Sequence, residues 1–272
     1  MIVFPNCKIN LGLHILRKRA DGFHELETVF YPIQLHDGLE LIQDSATATD
    51  ISFSYSGISI QGSPGENICV KAYHLLKKDF PALPAVKMHL HKVIPTGAGL
   101  GGGSADGAFA LKLLNTRFSL GLNIEQLEDY ALKLGSDCPF FIRNQACLAT
   151  GRGEQMEALD LDLSKYRFVL VHPGLHISTA WAFSQIKPNA SRGSLDQVIQ
   201  LPVNSWKEHL RNDFEEVALG EYPELKKIKE YLYSKGAVYA SMSGSGSSFF
   251  GIFPGNTQPV LELPDHYFVR VL

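Results

Sequence analysis

Pro95-Thr96-Gly97-Ala98-Gly99-Leu100-Gly101-Gly102-Gly103-Ser104-Ala105-Asp106 is the stretch whose reading decides the fold. Before it, Val86, Met88 and Leu90 alternate with Lys87, His89 and His91, the period of a strand. After it, the sequence turns Ala-rich from Ser104 to about Leu114, the composition of a helix. Glycines between a strand and a helix let consecutive backbone N–H groups approach an anion with no Cβ in the way. The helix beginning near Ser104 adds the positive end of its dipole. Together these make a cradle for a polyphosphate.

Other readings of the loop compete. Gly97 to Gly102 satisfies G-x-G-x-x-G, the dinucleotide fingerprint of a hydride-transferring enzyme. That fingerprint needs an acidic residue on a second strand roughly 20 positions on. Here the chain reads Asn115-Thr116-Arg117-Phe118-Ser119, a loop, and Glu125 and Glu128 fall on a predicted helix. The pattern G-x-x-x-x-G-K-[ST] is absent. A flexible linker would not sit between a clear strand and a clear helix.

Working outward, Cys7, Ile9, Leu11 and Leu13 alternate with Lys8, Asn10, Gly12 and His14, so a strand carries Lys8 and Asn10 on one face. Arg19-Ala20-Asp21-Gly22 and His36-Asp37-Gly38 are turns around strands at Leu26–Leu35 and Leu39–Gln43. Ser52 to Ile60 reads as an edge strand. Asn67 opens a helix that stops before Pro81, and Asn123 with Gln126 makes a capping box for a helix ending at Gly135. Later strands are predicted at Arg167–Val171, Ala237–Met242, Ser248–Phe253 and the terminal Phe268–Leu272, with helices at Thr179–Ile186 and Pro223–Ser234. Strands and helices mix without a regular βαβ period, so the fold class is α+β. The Gly151-Arg152-Gly153 turn divides two domains, 1–150 and 151–272.

Composition narrows the function. Of 272 residues 45% are hydrophobic and 19% charged, an ordinary globular balance. A net charge of −3 offers no basic stripe for nucleic acid, and Arg17-Lys18-Arg19 reads as a solvated turn. No apolar run reaches membrane-spanning length. Four cysteines without C-x-x-C spacing suit a reducing, cytoplasmic setting.

Pro5-Asn6-Cys7-Lys8-Ile9-Asn10, the loop Pro95 to Ala105, and Ser243-Gly244-Ser245-Gly246-Ser247 occur in an order that resembles the galactokinase, homoserine kinase, mevalonate kinase and phosphomevalonate kinase superfamily. Within it, Arg19-Ala20-Asp21-Gly22-Phe23-His24, Gly99 to Ser104 and Leu134-Gly135-Ser136-Asp137-Cys138-Pro139-Phe140-Phe141 resemble the branch whose acceptor is 4-diphosphocytidyl-2-C-methyl-D-erythritol. The resemblance implies an N-terminal ATP-binding domain of ribosomal-protein-S5-like type and a C-terminal ferredoxin-like domain. It implies ATP with Mg²⁺ as cofactors, a small cytidyl-diphosphate substrate, and phosphorylation of its 2-hydroxyl in the non-mevalonate route to isoprenoids. Another acceptor of the superfamily, mevalonate or homoserine, is the alternative.

By the same resemblance Lys8 and Asp137 are catalytic, Asn10 meets the substrate diol, and Phe23, His24 and Phe183 hold the cytosine. Asn67 and Lys92 lie near the ATP base and ribose, and Ser104 bonds a phosphate or assists the metal, whose acidic ligand is not identified. Each position has a plainer reading. Lys8 and Lys92 would be solvated strand lysines, Asp137 a helix cap, Asn67 a cap, and the Phe residues core. His24 would be a satisfied turn histidine. Asp106 would favour the helix start by its charge. Where the branch carries a proline, this chain has Ala180. Cys138 beside Asp137 suggests inactivation by thiol reagents; the plainer reading is two buried apolar cysteines, Cys7 and Cys138.

Overall fold

The computed structural model describes residues 1–44, 50–60 and 62–272. In chain order the strands are β1 (Ile2–Val3), β2 (Asn6–Lys18), β3 (His24–His36), β4 (Gly38–Gln43), β5 (Ile51–Gly57), β6 (Val86–Lys92), β7 (Cys147–Thr150), β8 (Gln155–Ala158), β9 (Tyr166–His172), β10 (Tyr239–Met242), β11 (Phe249–Pro254) and β12 (Phe268–Val271). The helices are α1 (Ile68–Asp79), α2 (Gly102–Phe118), α3 (Ile124–Leu134), α4 (Phe140–Arg143), α5 (Thr179–Gln185), α6 (Leu195–Ile199), α7 (Trp206–His209), α8 (Asp213–Glu221) and α9 (Pro223–Ser234).

The chain forms two compact units, each discontinuous in sequence. One comprises Met1–Cys7, Pro32–Thr96 and Gly101–Asn144; the other comprises Lys8–Tyr31, Gly97–Leu100 and Gln145–Leu272. The sequence reading, by contrast, makes a single cut after residue 150.

The first unit holds a sheet in the order β1-β4-β6-β5, antiparallel except for the β5–β6 pair. β5 is an edge strand, as expected. Val86, Met88, Leu90 and Lys92 of β6 are all buried, so Lys92 continues the inward parity of the strand. Helix α1 starts where Asn67 Oδ1 accepts the Cys69 N–H at 2.9 Å, and α3 starts with the reciprocal Asn123–Gln126 capping box. Helix α2 packs on α1, α3 and β4. It begins at Gly102, two residues before the sequence suggested, because Gly101 in a left-handed conformation (φ 69°) turns the backbone into the first turn.

The second unit holds two sheets. One runs β2-β3-β7-β8. The other, β10-β11-β9-β12, is antiparallel throughout, with α8 and α9 packed against it. Its core joins Val169, Val171, Met242, Phe249 and Phe253 to Phe214, Leu225 and Leu232 of the helices, and reaches Leu13 and Ile15 of β2. β2 is buried on both faces from Asn6 to Ile15. The fold is two-domain α+β, as the irregular mixture of strands and helices implied.

Candidate active site

Gly97, Gly99 and Gly101 all have positive φ (65°, 77° and 69°), and each bends the chain where an L side chain would be strained. At Gly99 the constraint is also steric, because a Cβ there would stand 2.1 Å from the Ser243 carbonyl oxygen. Ser243 Oγ donates to Gly99 O at 2.7 Å, Ser248 N–H to Ala98 O at 3.3 Å, and Lys8 N–H to Leu100 O at 3.0 Å. Lys8, the middle of the glycine loop and the late Ser-Gly motif therefore meet within one unit. In the other unit the loop continues as the first turn of α2, whose N–H groups have no acceptor inside the helix. Among the described residues nothing stands within 4 Å of the place a Gly103 side chain would take. That surface can receive an anion.

Lys8 is not a solvated strand lysine. It is 4% exposed, its Nζ donates to Asn10 Oδ1 at 2.6 Å and lies 4.6 Å from the centre of the Phe30 ring. Asn10 is held in turn by Thr28 Oγ1, which accepts from its Nδ2 at 2.9 Å, and by Ser243 Oγ, which accepts from its backbone N–H at 3.3 Å. A buried ammonium in this setting costs desolvation, which its partners and the π face offset.

Asp137 lies in the turn between α3 and α4, half-buried. It is not the helix cap: α4 begins at Phe140, with Pro139 in the cap position and no side-chain cap bond. Ser104, in the first turn of α2, hydrogen-bonds the adjacent Cys138. The turn carrying Asp137 is thus tied to the start of the phosphate-loop helix. Cys138 is fully buried, and burial, together with the Asp137 charge, pushes its thiol up to about 12 despite the Ser104 bond. Cys7 is equally buried. The plain reading of both cysteines holds, and a thiolate at Cys138 is disfavoured at neutral pH.

Lys92 is not solvated either. Its Nζ is 2.5 Å from Asp37 Oδ2 and 2.7 Å from Asp106 Oδ2, and it lies 3.1 Å from where a Gly102 Cβ would be. Burial alone would lower its pKa, but the Asp106 and Asp37 carboxylates outweigh burial and raise it. Asp37 Oδ1 accepts the N–H groups of Val93 and Ile94 at 2.6 and 2.8 Å. The triad so fixes both the entry to the glycine loop and the first turns of α2. Asp106 does more than favour a helix start. The inward parity of Lys92 was a usable sequence signal; nothing marked Asp37 as other than a turn residue.

His24 and Phe183 stack at 4.9 Å with their planes 19° apart, and Phe183 meets Phe214 edge-on at 4.8 Å. The structure brings these two together. Phe23 is 55% exposed, which no core residue would be, and Arg152 lies over its ring at 4.9 Å. Burial and the Lys18 charge lower the His24 pKa, so the ring is neutral at pH 7 and one nitrogen can accept while the other donates. Asn67 spends its Oδ1 on capping α1. Thr28, Asp37 and Arg152 were not singled out from the sequence.

Residues 67–145 match the GHMP kinases N terminal domain and residues 197–261 the GHMP kinases C terminal domain. The 4-diphosphocytidyl-2-C-methyl-D-erythritol kinase of Bacteroides fragilis is 53% identical over 253 residues, 93% of this chain and 92% of that one. The corresponding kinase of Azobacteroides pseudotrichonymphae is 50% identical over 96% of both. A crystal structure of 4-(cytidine 5'-diphospho)-2C-methyl-D-erythritol kinase superposes with a TM-score of 0.80 at 29% identity, covering 100% of this chain and 98% of that one. The chain belongs to the GHMP kinases and, within them, to the 4-diphosphocytidyl-2-C-methyl-D-erythritol kinase family.

Proposed function

We propose that this protein transfers the γ-phosphoryl group of ATP to the 2-hydroxyl of 4-diphosphocytidyl-2-C-methyl-D-erythritol. The observation that carries this reading is the buried Lys8 ammonium, fixed by Asn10 on a strand whose backbone is bonded to the glycine loop. Phosphoryl transfer asks a protein mainly for positioning and for stabilisation of charge on the transferring oxygens. The loop from Pro95 to Ala105 and the N-terminus of α2 hold the polyphosphate, and Ser104 serves a phosphate oxygen. Lys8 supplies positive charge where the acceptor oxygen is phosphorylated. Asp137 orients that hydroxyl and takes up its proton.

Phe23, His24 and Phe183 recognise the cytosine, by stacking and by hydrogen bonds from the neutral imidazole. Asn10 faces the diol, and Asn67 and the backbone around Lys92 face the nucleoside of ATP. Mg²⁺ accompanies the nucleotide. Among the described residues no group of three or more His, Cys, Asp or Glu side chains is placed to hold a metal. Bound Mg²⁺ would supply charge neutralisation to the phosphates.

The test is ADP release from ATP and Mg²⁺ with the cytidyl substrate, mevalonate or homoserine, beside Asp137→Asn and Lys8→Met. Turnover confined to the cytidyl substrate, reduced by roughly 10²-fold or more in either variant, is the expected result. Activity with another acceptor alone would discard the substrate and keep the kinase.

A further inference from the structure

Lys8 and Asn10 share one parity of β2, and Thr28 meets Asn10 from β3. All three are buried, at 4%, 1% and 1% exposure. Thr28 Oγ1 donates its single proton to the Gly12 carbonyl at 2.6 Å. Gly12 itself must stay glycine: it has φ 74°, and a Cβ there would strike Leu210 at 2.7 Å and Leu195 at 2.8 Å. With its proton committed, Thr28 Oγ1 can only accept from Asn10. A primary amide can sit in two orientations that differ by exchange of its oxygen and nitrogen. The Thr28 lone pair and the Lys8 ammonium both require the one that turns Nδ2 toward Thr28 and Oδ1 toward Lys8 Nζ at 2.6 Å, and Thr28 holds the amide there from the side opposite the ammonium. In the other orientation the amide NH₂ would confront an ammonium, donor against donor.

We infer that Thr28 is a positioning residue for phosphoryl transfer: through the amide of Asn10 it sets the acceptor that holds the Lys8 ammonium in place. The inference rests on the role proposed above for Lys8. It differs from a packing role, because the direction of a proton, rather than the volume of a side chain, is what Thr28 contributes. A residue that acts only through Asn10 has no effect left once Asn10 is removed.

Thr28→Val keeps the shape and removes the hydroxyl; Thr28→Ser keeps the hydroxyl. In Thr28→Val, kcat should fall roughly 10- to 100-fold with little change in either KM, as expected for a small displacement of a charge-stabilising group. Thr28→Ser should recover most of it. Asn10→Ala and the Asn10→Ala/Thr28→Val double variant should have equal kcat. An unchanged kcat in Thr28→Val below its unfolding temperature, or additive losses in the double variant, would overturn the inference.

A second measurement does not depend on the acceptor. In protein labelled at lysine ¹³Cε, the Lys8 resonance, assigned by its loss in Lys8→Met, should shift in Thr28→Val and stay in place in Thr28→Ser. If the wild type fails to turn over the cytidyl substrate, the functional reading fails and this resonance still decides the role of Thr28. A Lys8 signal unmoved in Thr28→Val refutes it.

Discussion

Lys92 and Asp37 form an ion pair with Nζ 2.5 Å from Oδ2, and their side chains are 1% and 0% exposed. With Asp106 2.7 Å away on the other side, one ammonium serves two carboxylates beneath the start of the phosphate loop. Removing the cation leaves two buried acids facing each other. Lys92→Met should therefore lower unfolding free energy by about 3–5 kcal/mol in urea. Lys226→Met, which breaks the exposed pair with Glu230, should change it by less than about 1 kcal/mol. Equal effects would contradict the buried triad.

The triad also titrates. Burial pushes the Asp106 carboxyl up to about 7, opposed by Lys92 and reinforced by Asp37. In the unfolded chain an aspartate titrates near about 3.9. Between those two values the folded protein holds more protons than the unfolded one, so stability should fall as pH rises from about 4 toward 7. Asp106→Asn should lose that component of the slope, seen by denaturant titration at several pH values. An identical slope would place the proton elsewhere.

Two glycines of the loop separate strain from ligand approach. Gly99→Ala puts a Cβ 2.1 Å from Ser243 O at φ 77°, so it should destabilise the protein and lose ATP-dependent turnover together. Among the described residues Gly103 has nothing within 4 Å of its missing Cβ, and thermal stability should survive Gly103→Ala. If phosphates approach that face, the KM for ATP should still rise by about tenfold or more. An unchanged KM would move the phosphates away from Gly103.

His24 stacks on Phe183 and feels the charge of Lys18. Its imidazole should titrate below its ordinary value of 6.5 by NMR. Lys18→Glu should move the midpoint upward. A midpoint that does not respond to position 18 would remove Lys18 from the surroundings of the base-recognising ring.

All four cysteines are buried, and burial raises the thiols of Cys69, Cys138 and Cys147. A water-soluble disulfide reagent at pH 8 should find almost no reactive thiol in the native protein and four after denaturation. Rapid modification of Cys138 in the native state would revive the idea of a reactive thiol beside Asp137.

Much of this was legible in the sequence because it is local. The capping residues Asn67 and Asn123, the terminal strand Phe268–Val271 and the glycine loop all announce themselves through neighbours in the chain. The family resemblance singled out Lys8 and Asp137, and the late Ser243-Gly244-Ser245-Gly246-Ser247 stood out as a motif. What stayed hidden depends on pairing across long separations. Asp37 looks like any aspartate before a glycine until Lys92, 55 residues away, lies against it. Alternation could not reveal that Lys8 is buried, because β2 is covered on both faces and parity then says nothing about exposure. Thr28 is one of several polar residues in β3, and only the pairing of β3 with β2 gives its hydroxyl a task.

The interleaved composition of the two units bears on how the chain is made. Synthesis proceeds from the N-terminus, and domains tend to fold as units once all their residues have left the ribosome. The unit built from Met1–Cys7, Pro32–Thr96 and Gly101–Asn144 is complete when Asn144 emerges. Lys8–Tyr31, which emerges among the earliest residues, belongs with Gln145–Leu272 and must wait for nearly the whole chain. The strand bearing Lys8 is thus born early and folded late. Its alternating apolar side chains Ile9, Leu11, Leu13 and Ile15, all buried in the finished fold, need protection from misassembly while translation continues.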